Sequence, residues 1–455
     1  MITDIGVRLE GIRVNVLQKL NHHFNNNADY FNVNITLKGT RVHLIGLTSL
    51  VDLPRTITLL KLQTTEMDEV KTNAPSLLNP TNHKTNFDID SLISSILLGN
   101  VLICDPVSNT YNTFNPIKKE VTRSIEGPIT ENALFGSGSS FLEDVHTNVG
   151  ILRKHVTDPY LKVQSFSVGT NQPKTLILVY IENRVKPELL KNIQTKIEAG
   201  LSQNVDHLQH LQKMIHSSSW TFLPKFNSTE LPQNAAQALN QGKAILMLDR
   251  FPLALILPSL IGDMFCLTDD HNYSLPFMIL IRTLRVMGVL IAVLIPGLYV
   301  ALVSVNPEVL RFELALSVAN SRQGVPYPAL VETLLLIIVL ELILEASVRL
   351  PKSVGPTITM VGGIILGQAA VTAKLVSSLL IIILAGTTIA SSTVVGFENT
   401  IAIRAFKYLL IGLAAIYGML GILAGIVLIC TYMGSQTSLG VPYLSLPKIN
   451  QRNGR

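Results

Sequence analysis

Glu332, Glu341, Glu345 and Arg349 put three carboxylates and a guanidinium into a stretch, Ala329–Val348 and its flank, that is otherwise apolar. Charged groups are costly in hydrocarbon, and where they occur there they face a bundle interior, a partner or water. Glu341, Glu345 and Arg349 follow at i, i+4 and i+8, a step of about 40° each time on a helix. Glu ahead of Arg at this spacing is the favourable order for an ion pair. Glu332, nine residues before Glu341, faces elsewhere, about half a rotation away. Two chemistries fit these four residues: a structural ion pair at a membrane surface, or an ion path with its gate.

A second set is Gly362, Gly363 and Gly367, with Gln368 as the polar side chain of Gly362–Val371. Small residues let helix backbones approach closely in lipid. The sharper alternative is a segment at an oligomer axis that narrows a pore. Gly418, Gly421 and Gly425 line a further helix and invite the same close packing. Elsewhere the chemistry is sparse. No Walker loop, GxGxxG, HExxH or GxSxG occurs, so no enzyme constellation is recognisable and no cofactor is implied. His207 and His210 can share a helix face, but without a third ligand nearby they point to a solvated face rather than a metal. Cys104, Cys266 and Cys430 lack CxxC spacing, and read as buried thiols of a reducing compartment.

The elements that must position these residues are long apolar helices. A bilayer core about 30 Å thick needs roughly 20 apolar residues. Val286–Val305, Ala329–Val348, Leu375–Val395 and Tyr408–Met433 meet this, with a kink expected at Pro296-Gly297. Ser353–Ala373, Gly-rich and broken by Pro356, is either a fifth span or a re-entrant helix, since irregular backbone at that depth must be covered by protein or line a wet cavity. Arg282 and Arg285 before the first span, and Lys448, Arg452 and Arg455 in the tail, suit both ends on the cytoplasmic side and an even number of full spans. Four full spans plus one buried segment are expected.

Before the bundle the chain is polar. Overall it is 48% apolar and 15% charged, with net charge +5, against about 25% charged in ordinary soluble domains. The absence of a long basic run argues against a nucleic-acid partner. The N-terminus, MITDIGVRLEGIRVNVLQKL, lacks the apolar run of a signal peptide, so the soluble part is expected in the cytoplasm. Two stretches share a plan. Strand Val42–Leu47, Val51–Leu60, helix Ile89–Leu98, Gly99, strand VLIC and Asp105 are matched by strand Leu176–Ile181, a helix from Lys186, helix Asn234–Asn240, Gly242, strand AILML and Asp249. Gly stands in each where a helix C-cap wants positive φ. The fold class expected is therefore an α/β cytoplasmic N-terminal region of two similar lobes followed by an α-helical transmembrane bundle. Its boundaries are 1–110 for the first lobe, 111–173 for a connecting segment with a helix at Phe141–His155, 174–270 for the second lobe, 286–433 for the bundle and 434–455 for a short tail. FGSGSS before that helix and Asn79–Phe87 read as loops.

Several long motifs, in order, resemble the GerA family of spore germination proteins. They are NSRQGVPYP (320–328), Glu332, EASVRLPKSVGPTITMVGGIILGQAAV (345–371) and GVPYLSLP (440–447) in the bundle. In the soluble half they are RSIEGP (123–128), FLEDVHTNVGILRKHV (141–156), LKV (161–163) and LVYIEN (178–183). The resemblance implies the A subunit of a nutrient germinant receptor in the spore inner membrane. It would act with B and C subunits and oligomerise into a ligand-gated channel for monovalent cations, with nutrient recognition mainly in the B subunit. Departures are Leu344, where the family usually has Arg, and Lys374, where a small residue is expected. A small-solute transporter and a non-conducting scaffold are the competing readings; the first predicts inverted repeats in the membrane half.

Overall fold

The computed structural model of the protein describes residues 16–37, 40–69, 89–105, 110–119, 139–215, 221–350 and 355–445. Asn79–Phe87, RSIEGP, the start of FGSGSS, the first fifteen residues and the basic tail lie outside the described residues. The chain divides into two compact units. One is Met1–Ser219 with Phe226–Pro258, the other Trp220–Lys225 with Ser259–Arg455.

The first unit holds two antiparallel sheets. In one lobe a helix α1 (16–23) leads to β1 (Tyr30–Leu37) and β2 (Thr40–Leu47). Helices α2 (Leu53–Glu69) and α3 (Ile89–Leu97) follow, then β3 (Val101–Asp105) and β4 (Thr110–Phe114), in sheet order β1-β2-β3-β4. The other lobe repeats this order with α6 and β7 inserted: α4 (Val145–His155), β5 (Leu161–Val168), β6 (Lys174–Ile181), α5 (Pro187–Gly200), α6 (Leu208–Ile215), β7 (Asn227–Thr229), α7 (Pro232–Asn240), β8 (Ala244–Leu248) and β9 (Ala254–Leu257). Its sheet order is β5-β6-β8-β9-β7.

The match between lobes reaches individual hydrogen bonds. Gly99 N–H donates to Ile96 O and Asn100 N–H to Ser95 O; Gly242 N–H donates to Leu239 O and Lys243 N–H to Ala238 O. Both glycines take positive φ, +86° and +82°, which closes each helix with the same left-handed cap and starts a buried strand two residues later. Behind each sheet lies an apolar core, with Leu44, Ile45, Ile96 and Leu102 in one lobe and Val179, Leu239 and Ile245 in the other fully buried.

Among its described residues, the expected connecting segment 111–173 supplies strands to both sheets. Tyr111 pairs with Cys104 at the edge of the first sheet, while Leu161 pairs with Ile181 in the second, because the inner strands β3 and β6 each carry a second row of backbone groups that needs a partner. The helix expected from Phe141 begins only at Val145, where the Asp144 carboxylate accepts from His146 N–H and Thr147 N–H and so caps the free end. Burial would raise the Asp144 pKa, but the Thr147 hydrogen bonds, the Lys119 charge and the His146 N–H together hold the carboxyl below its usual range. The lobes are tied by a buried fork: Arg153 Nε and Nη2 donate to Asp29 Oδ2 and Oδ1 at 2.6 and 2.8 Å, and Ser49 Oγ donates to Asp29 Oδ2. Of the cysteines only Cys104 is buried; Cys266 and Cys430 are exposed, contrary to the expectation for all three.

The second unit is helical. α8 (Leu275–Val300) runs on through a π turn at Ala301–Val305; α9 (Phe312–Ser321), α10 (Ala329–Arg349), α11 (Gly355–Thr372), α12 (Ser378–Ser391) and α13 (Phe397–Ser435) follow. A two-stranded turn of β10 (Thr437–Ser438) and β11 (Val441–Pro442) ends the described chain. Leu275–Val305 is long and apolar enough to cross a membrane, and so is Glu398–Ser435 when counted through its break at Gly418. The first begins eleven residues before the expected Val286, because the helix extends through Arg282 and Arg285. These meet Asp270, whose side chain is 2% exposed, at 3.2 and 2.6 Å. Burial would raise the Asp270 pKa, but the hydrogen bonds from Arg285 and Leu267 N–H and the arginine charges hold it below the usual carboxylate range.

Two expectations for this unit need correction. Leu375–Val395 is helical only over Ser378–Ser391, about 21 Å at 1.5 Å per residue. Ser377 caps one end, and the hydroxyls of Ser391, Ser392 and Thr393 bond back to carbonyls at the other. Tyr408–Met433 is not one tilted span. Gly418 is non-helical (φ 59°, ψ −133°), and the helix doubles back there into arms 397–417 and 419–435. Phe406 and Tyr432, about 39 Å apart on a straight helix, have ring centroids 6.2 Å apart. Gly421 and Gly425 do serve close packing, but between these two arms, against Leu413 O and the Leu410 side chain.

Candidate functional site

Glu332 lies in the first turn of α10 and is fully buried. Its Oε1 accepts from Ser377 N–H at 2.5 Å. Ser377 caps α12 through its Oγ, and that Oγ lies 3.2 Å from Tyr299 OH on α8. The other oxygen, Oε2, is 3.4 Å from Arg322 Nε, an ion pair without hydrogen-bond geometry, since neither atom has a hydrogen-bond partner. Arg322 also donates from Nη2 to Tyr327 O. One carboxylate thus fixes the start of α10, the start of α12 and the 322–328 turn, beside an apolar cluster that includes Val300, Leu336, Ile337 and Leu380. A buried charge is stable only when paired and hydrogen-bonded, so these neighbours are obligatory.

Glu341 forms a second centre. Arg404 Nη1 and Lys407 Nζ, from the first arm of α13, reach its two oxygens at 2.9 and 3.2 Å. Two cations against one carboxylate leave an excess positive charge within the bundle. A cavity of about 20 Å³ adjoins it, lined by Leu344, Thr387, Thr388 and Ser391 among others, with room for a single water.

The four charged candidates of α10 therefore do not act together. Glu345 and Arg349 pair at 2.6 Å on the outside of the bundle, 62% and 77% exposed. The drift of about 40° per four residues carries Glu341 toward α13 and leaves Arg349 outside. Gly362, Gly363 and Gly367 are open as well: a Cβ added at any of them would meet nothing within 4 Å. Met360, Ile364 and Ile365 beside them are at least 60% exposed, and Gln368 is exposed too. α11 turns its glycine-bearing face away from its own chain.

Arg322, Tyr299, Ser377, Arg404 and Lys407 complete these centres and are absent from the sequence-derived set. Arg404 and Lys407 did leave a signal, two cations at i, i+3 just ahead of an apolar run. Ser377 and Tyr299 left none, because a capping serine and a buried tyrosine are ordinary helix residues. In the first unit a cavity of about 570 Å³ opens between α1, α3 and the 157–160 turn, with Lys19, His23, Asp90, Ile93 and Tyr160 on its walls.

Comparison with known proteins gives a consistent picture. The family described as Bacillus/Clostridium GerA spore germination protein matches residues 18–453. The chain is 35% identical over 360 residues to spore germination protein GerLA of Bacillus cereus, covering 79% of this chain and 73% of the relative. It is 32% identical over 354 residues to spore germination protein A1 of Bacillus subtilis, covering 78% and 73%. An uncharacterized membrane protein of Bacillus subtilis, YfkQ, is 31% identical over 84% of this chain and 74% of its own length. Among solved structures, the N-terminal domain of the A subunit of the Bacillus megaterium spore germinant receptor GerK3 is similar over 54% of this chain and 94% of that one, at 19% identity and a TM-score of 0.38.

Proposed function

The chain belongs to the GerA family of spore germination proteins, and from that premise we propose that it is the A subunit of a nutrient germinant receptor, a multi-pass membrane protein whose copies assemble into a ligand-gated channel for monovalent cations. The soluble lobes face the cytoplasm, the bundle lies in the spore inner membrane, and B and C subunits complete the receptor. Germinant binding favours the open assembly, so the mechanism is a shift of population between two states.

The observation that carries this reading is the outward glycine face of α11. An apolar helix whose glycines meet nothing in their own chain is suited to close contact with other copies, because small residues let backbones approach in lipid. α10, which packs beside α11, carries Glu332 at a joint of three elements, where a change in α11 could be passed to α12. The excess positive charge at Glu341, Arg404 and Lys407 disfavours a cation path through that side of the bundle, which leaves α11 as the better lining.

The test is reconstitution. The purified protein, alone and with its B and C subunits, is placed in liposomes, its oligomeric state is determined, and monovalent-cation flux is recorded with and without germinant. Flux from an oligomer supports the reading. A stable monomer that passes no ions in any combination overturns it.

A further inference from the structure

The ten residues of α9, Phe312–Ser321, connect two bundle helices yet are nearly uncovered. Phe312 is 82% exposed, Leu314 56% and Leu316 53%, and no residue of the helix is buried. Its sequence is nevertheless ordered around the axis. Phe312, Leu316 and Ala319, at i, i+4 and i+7, form an apolar strip; Glu313, Ser317 and Asn320, at the same spacing one residue on, form a polar strip beside it. Ala315, Val318 and Ser321, the partly covered residues, mark the side toward the protein. An exposed helix with a dry strip and a wet strip side by side fits a boundary between two media.

The position of α9 agrees. The segment leading into it starts at Asn306, whose Oδ1 accepts from Met419 N–H at the tip of the α13 hairpin. The turn leaving it is pinned by Arg322 to Glu332 at the start of α10. α9 therefore sits at the rim of the bundle, at the end opposite Arg282 and Arg285.

We propose that α9 is an interfacial helix that lies along the leaflet at this end of the bundle, with Phe312 and Leu316 in the outer part of the acyl chains and Glu313, Ser317 and Asn320 among headgroups and water. The occupant is lipid, and the proposal rests on the membrane reading of the bundle. Such a helix buries its dry face about 5–10 Å into the headgroup–acyl boundary. It also joins the Asn306 tie to the Arg322–Glu332 joint, so the leaflet itself becomes a contact of the joint at Glu332.

The protein has a single tryptophan, Trp220, which makes a direct test available. In the full chain carrying Trp220→Phe, tryptophan is introduced at Phe312, at Ser317 or at Leu428, and each variant is reconstituted in phosphatidylcholine vesicles with lipids brominated high or low on the acyl chain. Leu428, 53% exposed in the second arm of α13, reports on the bundle itself. The expected result is loss of Phe312→Trp emission with bromine high on the chain, and loss of Ser317→Trp emission with aqueous iodide instead. If Leu428→Trp escapes quenching by either brominated lipid, the membrane reading fails and this proposal with it. If Leu428→Trp is quenched but Phe312→Trp responds to iodide like Ser317→Trp, α9 lies in water and the proposal alone is overturned. Protection of Phe312→Trp from both quenchers, with Leu428→Trp quenched by lipid, means that another protein surface covers α9, and equally overturns it.

Discussion

Replacing Gly418 by alanine tests the hairpin of α13. Its φ of 59° with ψ of −133° lies where a side chain is strained, at about 1–3 kcal/mol. An added Cβ would also collide with Asn306 Oδ1 and come within 2.8 Å of Val305 Cγ1. Asn306 would have to leave Met419 N–H, which it holds at 3.0 Å, at a further cost of about 1 kcal/mol. The expected loss is about 2–4 kcal/mol of stability, read by thermal unfolding in detergent. Spin labels at Ile401 and Ser435 measure the geometry directly: a straight helix would hold them about 51 Å apart, whereas the hairpin returns both to one end. An alanine variant with unchanged stability, together with a label distance near the straight-helix value, would refute the hairpin.

Other expectations follow from the same contacts. Asp270→Asn strands Arg282 and Arg285 and costs about 3 kcal/mol in unfolding free energy, measured with denaturant. The folded pKa of Asp270 lies below its unfolded value, so its contribution is full above about pH 4 and fades as pH falls through the folded value. Stability of the variant should therefore converge on that of the parent in acid. Gly363→Leu leaves the fold of one chain intact, changing stability by no more than about 1 kcal/mol, but abolishes oligomers and flux if α11 lines the assembly; unchanged oligomers on native mass spectrometry would dismiss that role. Glu345→Gln shifts stability by less than about 0.5 kcal/mol and leaves germination rate unaltered, whereas a marked loss of germination would show that the exposed pair has a partner.

What could be read in the sequence was local. Gly99 and Gly242 announce two caps because only a left-handed residue ends a helix in that way, and the strands after them are apolar on both faces. The charged residues of α10 are conspicuous against their background. Their partners are not, since Arg404 and Lys407 lie more than sixty positions away and nothing in periodicity says which turn of α13 they will meet. The extent of the repeat also escaped periodicity: β4 and β5 are edge strands with mixed faces, and their membership depends on pairing across the sheet. The doubling of α13 escaped for another reason. Gly418 sits among Gly412, Gly421 and Gly425 in an unbroken apolar run, and what sets it apart is the packing of Asn306 and Val305 into the space a Cβ would need, which only the fold brings there.

That corner changes the arithmetic of sidedness. Counted as a single crossing, the run from Phe397 to Ser435 would deliver the C-terminal residues to the opposite face of a bilayer from the one at which it begins. Counted as two, it brings them back: Ile403, beside Met264, and Tyr443, whose carbonyl accepts from Ile261 N–H, belong to the same end of the bundle. Which end of the bundle receives the β10–β11 turn depends on the backbone of one glycine.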